Sequence, residues 1–179
     1  MAFNIAVLKE TRANERRVAL VPVVADKLTK LGAKLAMQSG SGDAVKLPDS
    51  AYKNVHFAAN PQGLVSDADI VLSVQPPSLE AVDAMKEGSV LISFIYAHKE
   101  IELVKKLRDK NITCFAMELV PRITRAQAMD SLSSQANLAG YKAVITAADK
   151  YQRLFPMLMT AAGTIKAARV VILGVGVAG

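Results

Sequence analysis

The chain has 179 residues, 51% hydrophobic and 21% charged, a balance that allows one packed domain and a fraction of a second. No run approaches the ~20 apolar residues that a membrane-spanning helix requires. The net charge of +6 is spread along the chain, without the basic block and interleaved aromatics that would suggest nucleic acid as a partner.

Tryptophan is absent and aromatics make up 5%, so the core falls to Val, Leu, Ile, Ala and Met, as in parallel sheets buried on both faces. Ile5 to Leu8 reads as a first strand that runs straight into the charged Lys9-Glu10-Thr11-Arg12, which is not the flank of a signal peptide. Val21 to Gly32 reads as a helix, with Pro22 in its first turn and Gly32 closing it. Lys34 to Gln38 is a second strand, Gly40 to Asp43 a loop, and Asp49 to Asn54 a short polar helix. His56, within Val55-His56-Phe57-Ala58, is read as a half-buried strand residue. Asp69 to Val74, Ser89 to Ile95 and Thr113 to Ala116 are strands, separated by helices at Leu79 to Met85 and Glu100 to Lys110. Cys114 lies in the last of these strands and is expected to be buried; a lone cysteine forms no internal disulfide, which fits a reducing compartment.

Alternating strands and helices predict a doubly wound α/β domain of the Rossmann or flavodoxin-like kind over residues 1–121. Residues 122–164 then read as a polar loop and one long helix from Leu132 to about Leu158, with Pro156 near its end. Residues 165–179 read as the first strand and glycine turn of a second, truncated Rossmann domain. The buried strand Ala168 to Leu173 leads directly into Gly174-Val175-Gly176-Val177-Ala178-Gly179, a G-x-G-x-x-G. In that motif Gly174 makes the tight turn, Gly176 lets a pyrophosphate approach the backbone, and Gly179 lets the next helix pack. The helix that would hold the pyrophosphate, and the acid ~20 positions later, are expected beyond Gly179 in a longer protein.

Three segments carry a family resemblance. They are Leu8 to Thr11 with Asn14 to Pro22, then Arg122 to Tyr141, then the glycine turn. Together they resemble the alanine dehydrogenase and transhydrogenase superfamily, and most closely the NAD(H)-binding N-terminal part of the proton-translocating transhydrogenase alpha subunit. The resemblance implies hydride exchange between NAD(H) and NADP(H), the latter held on a partner domain. It also implies a membrane component, a homodimer in the complete protein, and a cytoplasmic position peripheral to the membrane. By the same resemblance Arg122, Gln127 and Asp130 serve catalysis by surrounding the nicotinamide, and Ser133, Gly174, Gly176 and Gly179 bind the cofactor. No metal is implied.

The dehydrogenases of this superfamily need a lysine after the fourth strand and a histidine after the fifth, because amine oxidation moves protons as well as hydride. Here Gln75 and Tyr96 stand at those places, with His98 two positions further on. Neither an amide nor a phenol of pKa ~10 shuttles protons near neutrality. Hydride exchange between two nicotinamides needs no such shuttle. Purely structural roles are also open to these residues. Arg122 and Asp130 make a surface ion pair, Ser133 caps the long helix, and Arg17 pairs with Glu15 or Glu10 rather than with a ligand carboxylate.

Overall fold

The computed structural model describes residues 3–179, so Met1 and Ala2, which lead into the expected first strand, lie outside it. The chain divides into two compact units, one ending at Val120 and the other spanning Pro121–Gly179.

The first unit is built on six strands: β1 Asn4–Val7, β2 Lys34–Gln38, β3 Val55–Ala58, β4 Ile70–Leu72, β5 Val90–Ser93 and β6 Thr113–Ala116. All pair in parallel, in the order β3-β2-β1-β4-β5-β6. Successive residues of a strand face opposite sides, and β1 uses both faces for packing. Ile5 and Val7 join Leu20, Leu35, Met37 and Ala25 of helix α1 (Pro22–Lys30). Ala6 packs on the other side with Val71, Leu91 and the buried residues of α2 (Pro61–Ser66), α3 (Leu79–Ala84) and α4 (Ile101–Asp109). Each fully buried Val or Leu contributes roughly 1.5–3 kcal/mol. Two-sided burial is why the strands are apolar runs and not alternating patterns.

Helix α2 was not expected, although Asn60-Pro61 carries its start signal. The Asn60 side chain accepts the Gln62 N–H at 3.0 Å, and Pro61 occupies the first turn. The polar helix expected over Asp49 to Asn54 is only a single 3-10 turn, Asp49–Ala51. Two burial expectations fail for one reason. Cys114 and His56 are both exposed, because β6 and β3 are the two edge strands and each has a neighbour on one side only.

The second unit begins with a 3-10 stretch, Thr124–Met129, and continues into helix α5, Ser131–Tyr151. The helix stops short of the expected Leu158, with Gln152 at φ 55° in the left-handed region. An unforeseen antiparallel hairpin follows, β7 Leu158–Thr160 and β8 Gly163–Ile165. The strand expected over Ala168 to Leu173 is irregular, and Leu173 is 95% exposed. A strand exists only through pairing, and among the described residues no strand lies beside this segment.

Candidate functional site

In the first unit the chain crosses over between β1 and β4, the point at which an open parallel sheet leaves a crevice beyond its carboxyl ends. A cavity of about 120 Å³ opens there, lined by Lys9, Glu10, Gln38, Ser73, Gln75 and Glu80 among others. The loops after β1, β4 and β5 meet at this edge through hydrogen bonds. Glu10 accepts the backbone N–H groups of Val74 at 2.6 Å and Gln75 at 3.0 Å. Its burial outweighs those two bonds and raises its pKa. Glu15 accepts from Arg17 Nε at 2.8 Å and Nη2 at 2.6 Å, and from Gln75 Nε2 at 2.8 Å. This bidentate pair with Arg17 pulls the Glu15 carboxyl down to about 2. Of the readings open for Arg17, the structure realises the ion pair with Glu15.

The Arg17 guanidinium also lies 5.9 Å from the Phe94 ring centre, and Phe94 stacks on Tyr96 at 6.0 Å with the rings 9° from parallel. Tyr96 sits at φ 52°, an unusual conformation for a residue with a Cβ. Its N–H and that of Ile95 donate to the Glu118 carboxylate at 2.6 and 3.0 Å. Gln75 and Tyr96 are therefore both held in place. Gln75 has its amide on Glu15, and Tyr96 has its backbone on Glu118. His98 is exposed on the turn beyond Tyr96.

In the second unit Asp130 is the N-cap of α5. Its carboxylate accepts the Ser133 N–H at 2.9 Å and the Ser133 hydroxyl at 2.6 Å. The cap thus belongs to Asp130, with Ser133 as its donor. The Ser133 hydroxyl, then the Ser133 N–H, then the charge of Arg122 hold this carboxyl below the usual range. Gln127 is exposed, and its carbonyl accepts the Asp130 N–H at 3.2 Å.

Arg122, Ser133 and the three glycines Gly174, Gly176 and Gly179 line one open concavity of about 640 Å³ beside α5. Gln127 and Asp130 do not belong to its wall. Gly174 has φ +95°, which only glycine adopts readily. The place a Cβ would take at Gly176 is open, with no atom within 4 Å. That is the cradle a phosphate group needs if it is to reach the backbone. Gly140 carries no motif that would single it out in the sequence. Its bare Cα lies against the Ala178 carbonyl, so α5 approaches the glycine turn as closely as backbone allows. The signal for this contact is the small-residue run Ala136, Ala139, Gly140 and Ala143, which lines the same wall.

Residues 6–139 match the family model for the alanine dehydrogenase/PNT N-terminal domain, and residues 143–179 match that for the C-terminal domain. The chain belongs to this family. It is 44% identical, over 99% of its length, to an NAD(P) transhydrogenase subunit alpha chain of Rickettsia prowazekii, covering 48% of that protein. It is 29% identical, again over 99% of its length and 48% of the relative, to the alanine dehydrogenase of Halomonas elongata. Among solved structures, the transhydrogenase of Sinorhizobium meliloti superposes with a TM-score of 0.91 at 41% identity, covering 98% of this chain and 53% of that one. The chain thus spans about half the length of the curated relatives named here. No helix among the described residues is long and apolar enough to cross a membrane.

Proposed function

We propose that this chain is the NAD(H)-binding part of a proton-translocating nicotinamide nucleotide transhydrogenase, in which hydride passes between NAD(H) here and NADP(H) on a partner component. The observation that carries the reading is Gln75. The position that would need a proton-carrying side chain in an amino-acid dehydrogenase holds an amide, and that amide donates to Glu15. An amide at this position orients its neighbours and carries no proton of its own to exchange near neutrality. The higher identity to transhydrogenase than to alanine dehydrogenase chains points the same way. The runner-up, an alanine-type dehydrogenase, would need its proton carrier at the position that this amide occupies.

The glycine turn and α5 supply the cofactor wall. Gly176 leaves room for the pyrophosphate, Gly174 makes the turn, and Gly179 closes it, since a Cβ there would strike the Gly174 carbonyl. Arg122 and Ser133 contribute charge and a hydroxyl to the same wall. Bound NAD(H) supplies the hydride-carrying ring. The chain's own contribution is orientation: Asp130 fixes Ser133 through two hydrogen bonds and keeps Arg122 within its field, while Gln127 offers an exposed carboxamide. In the assembled enzyme this part pairs with a second copy and sits on the cytoplasmic side of a membrane component.

The test is Gln127→Ala in a longer chain that carries the C-terminal domain in full. Loss of one positioning hydrogen bond slows hydride exchange roughly ten- to a hundredfold, with thermal stability unchanged. An unaltered exchange rate removes Gln127 from the site. Reduction of NAD by alanine at ~10 per second would replace the transhydrogenase reading with the dehydrogenase one. The 179-residue chain itself is expected to bind NAD no more tightly than about millimolar, which calorimetry measures directly.

A further inference from the structure

At the carboxyl edge of the first unit, two acids make the same contact on adjacent strands. Beyond β4, Glu10 places one carboxylate oxygen on the Val74 N–H and the other on the Gln75 N–H, at 2.6 and 3.0 Å. Beyond β5, Glu118 places one oxygen on the Tyr96 N–H at 2.6 Å and the other on the Ile95 N–H at 3.0 Å. The acids arrive from opposite directions in the chain, Glu10 from the loop after β1 and Glu118 from the 3-10 turn after β6. What the two contacts share is the receiving geometry, a pair of consecutive N–H groups at a strand end. Such pairs form concavities that bind oxyanions, and the crossover of a doubly wound sheet is where ligand phosphates commonly sit.

We propose that Glu10 and Glu118 are resident anions, each filling a two-N–H oxyanion site at the carboxyl edge, and that each site accepts a small free carboxylate once its own acid is removed. The filled sites have a functional consequence. The first unit has the strand order of a dinucleotide-binding fold, yet its crossover crevice already holds a carboxylate where a ligand phosphate would go. The glycine turn has open space at Gly176 instead. On this last point the inference rests on the NAD reading above; the two oxyanion sites themselves do not.

Chemical rescue in the 179-residue chain tests it without NAD, so its outcome is separate from that of the transhydrogenase reading. Glu10→Ala and Glu118→Ala are each melted in rising formate, against chloride at equal ionic strength. Each variant is expected to melt about 5–10 °C below the parent chain, as loss of a charge-assisted contact in a unit of this size would give. Formate at about 0.1 M should restore at least half of that loss, and chloride should not. Glu10→Gln keeps a side chain in the site and should gain nothing from formate, nor should the parent chain. Equal effects of formate and chloride on both Ala variants would overturn the proposal. So would formate stabilisation of the parent or of Glu10→Gln as large as that of the Ala variants. An Ala variant that stays unfolded in formate overturns it for that site.

Discussion

The two units of this chain are apolar in similar proportion, to different ends. Strands β1, β4 and β5 bury Val7, Val71 and Leu91 completely, between helices on both sides. In the second unit Ala126 is the one buried hydrophobic residue among those described, while Leu138, Tyr141, Val144, Val171 and Leu173 are exposed. The segment from Val170 to Leu173 is as apolar as β5, yet it forms no strand. Hydrophobic sequence becomes core only where partners close over it from both sides. The first unit supplies its own partners, and the second leaves most of its apolar side chains exposed.

The two units should differ most in hydrogen exchange. Backbone amides of β1, β4 and β5 should exchange on the order of a thousandfold more slowly than those of residues 168–179, because the former open only with global unfolding. Equal protection in both regions would show that the second unit shares the first unit's cooperativity. A pair of substitutions probes the same difference in packing. Leu91→Ala, at a fully buried position, should cost about 2–5 kcal/mol in urea unfolding. Leu173→Ala should cost less than about 0.5 kcal/mol, since its side chain is already in solvent. A substantial cost at Leu173 would place it in contacts absent from this arrangement.

Acid stability offers a smaller effect with a definite sign. The carboxyl of Glu15 falls from 4.5 to about 2 on folding, so it stabilises the fold above its unfolded pKa. That contribution is lost as the pH falls from about 4.5 toward 2. Allowing for solvent screening it amounts to about 2 kcal/mol. Glu15→Gln should be less stable at pH 7 and lose less on acidification, as urea midpoints across this range would report. Parallel pH curves for the two chains would show that the Arg17 pair contributes nothing. The smallest effect belongs to Gly140→Ala in a longer chain with the full C-terminal domain. The added methyl must push the glycine turn off α5, so NAD affinity should weaken about tenfold while the first unit melts as before. Unchanged affinity would mean that the contact is incidental to the cofactor wall.

The parallel α/β class was already legible in the amino-acid order. The short apolar runs of β1, β2, β4, β5 and β6 and the Pro22 and Gly32 boundaries of α1 are local signals, set by side-chain volume and backbone preference, and they survive in the structure. The glycine turn was legible for the same reason, since Gly174 adopts the left-handed conformation that its residue type permits. Which strands lie at the edges, and hence that Cys114 and His56 are exposed, emerged only on folding, because strand order is a property of pairing. So did the choice of Glu15 over Glu10 as the partner of Arg17, the capping of α5 by Asp130, and the hold of Glu10 and Glu118 on the strand ends. Glu10 and Glu118 meet donors 64 and 22 positions away. A contact of that range leaves no periodicity or spacing in the chain, and arises only when the sheet brings the ends of its strands together.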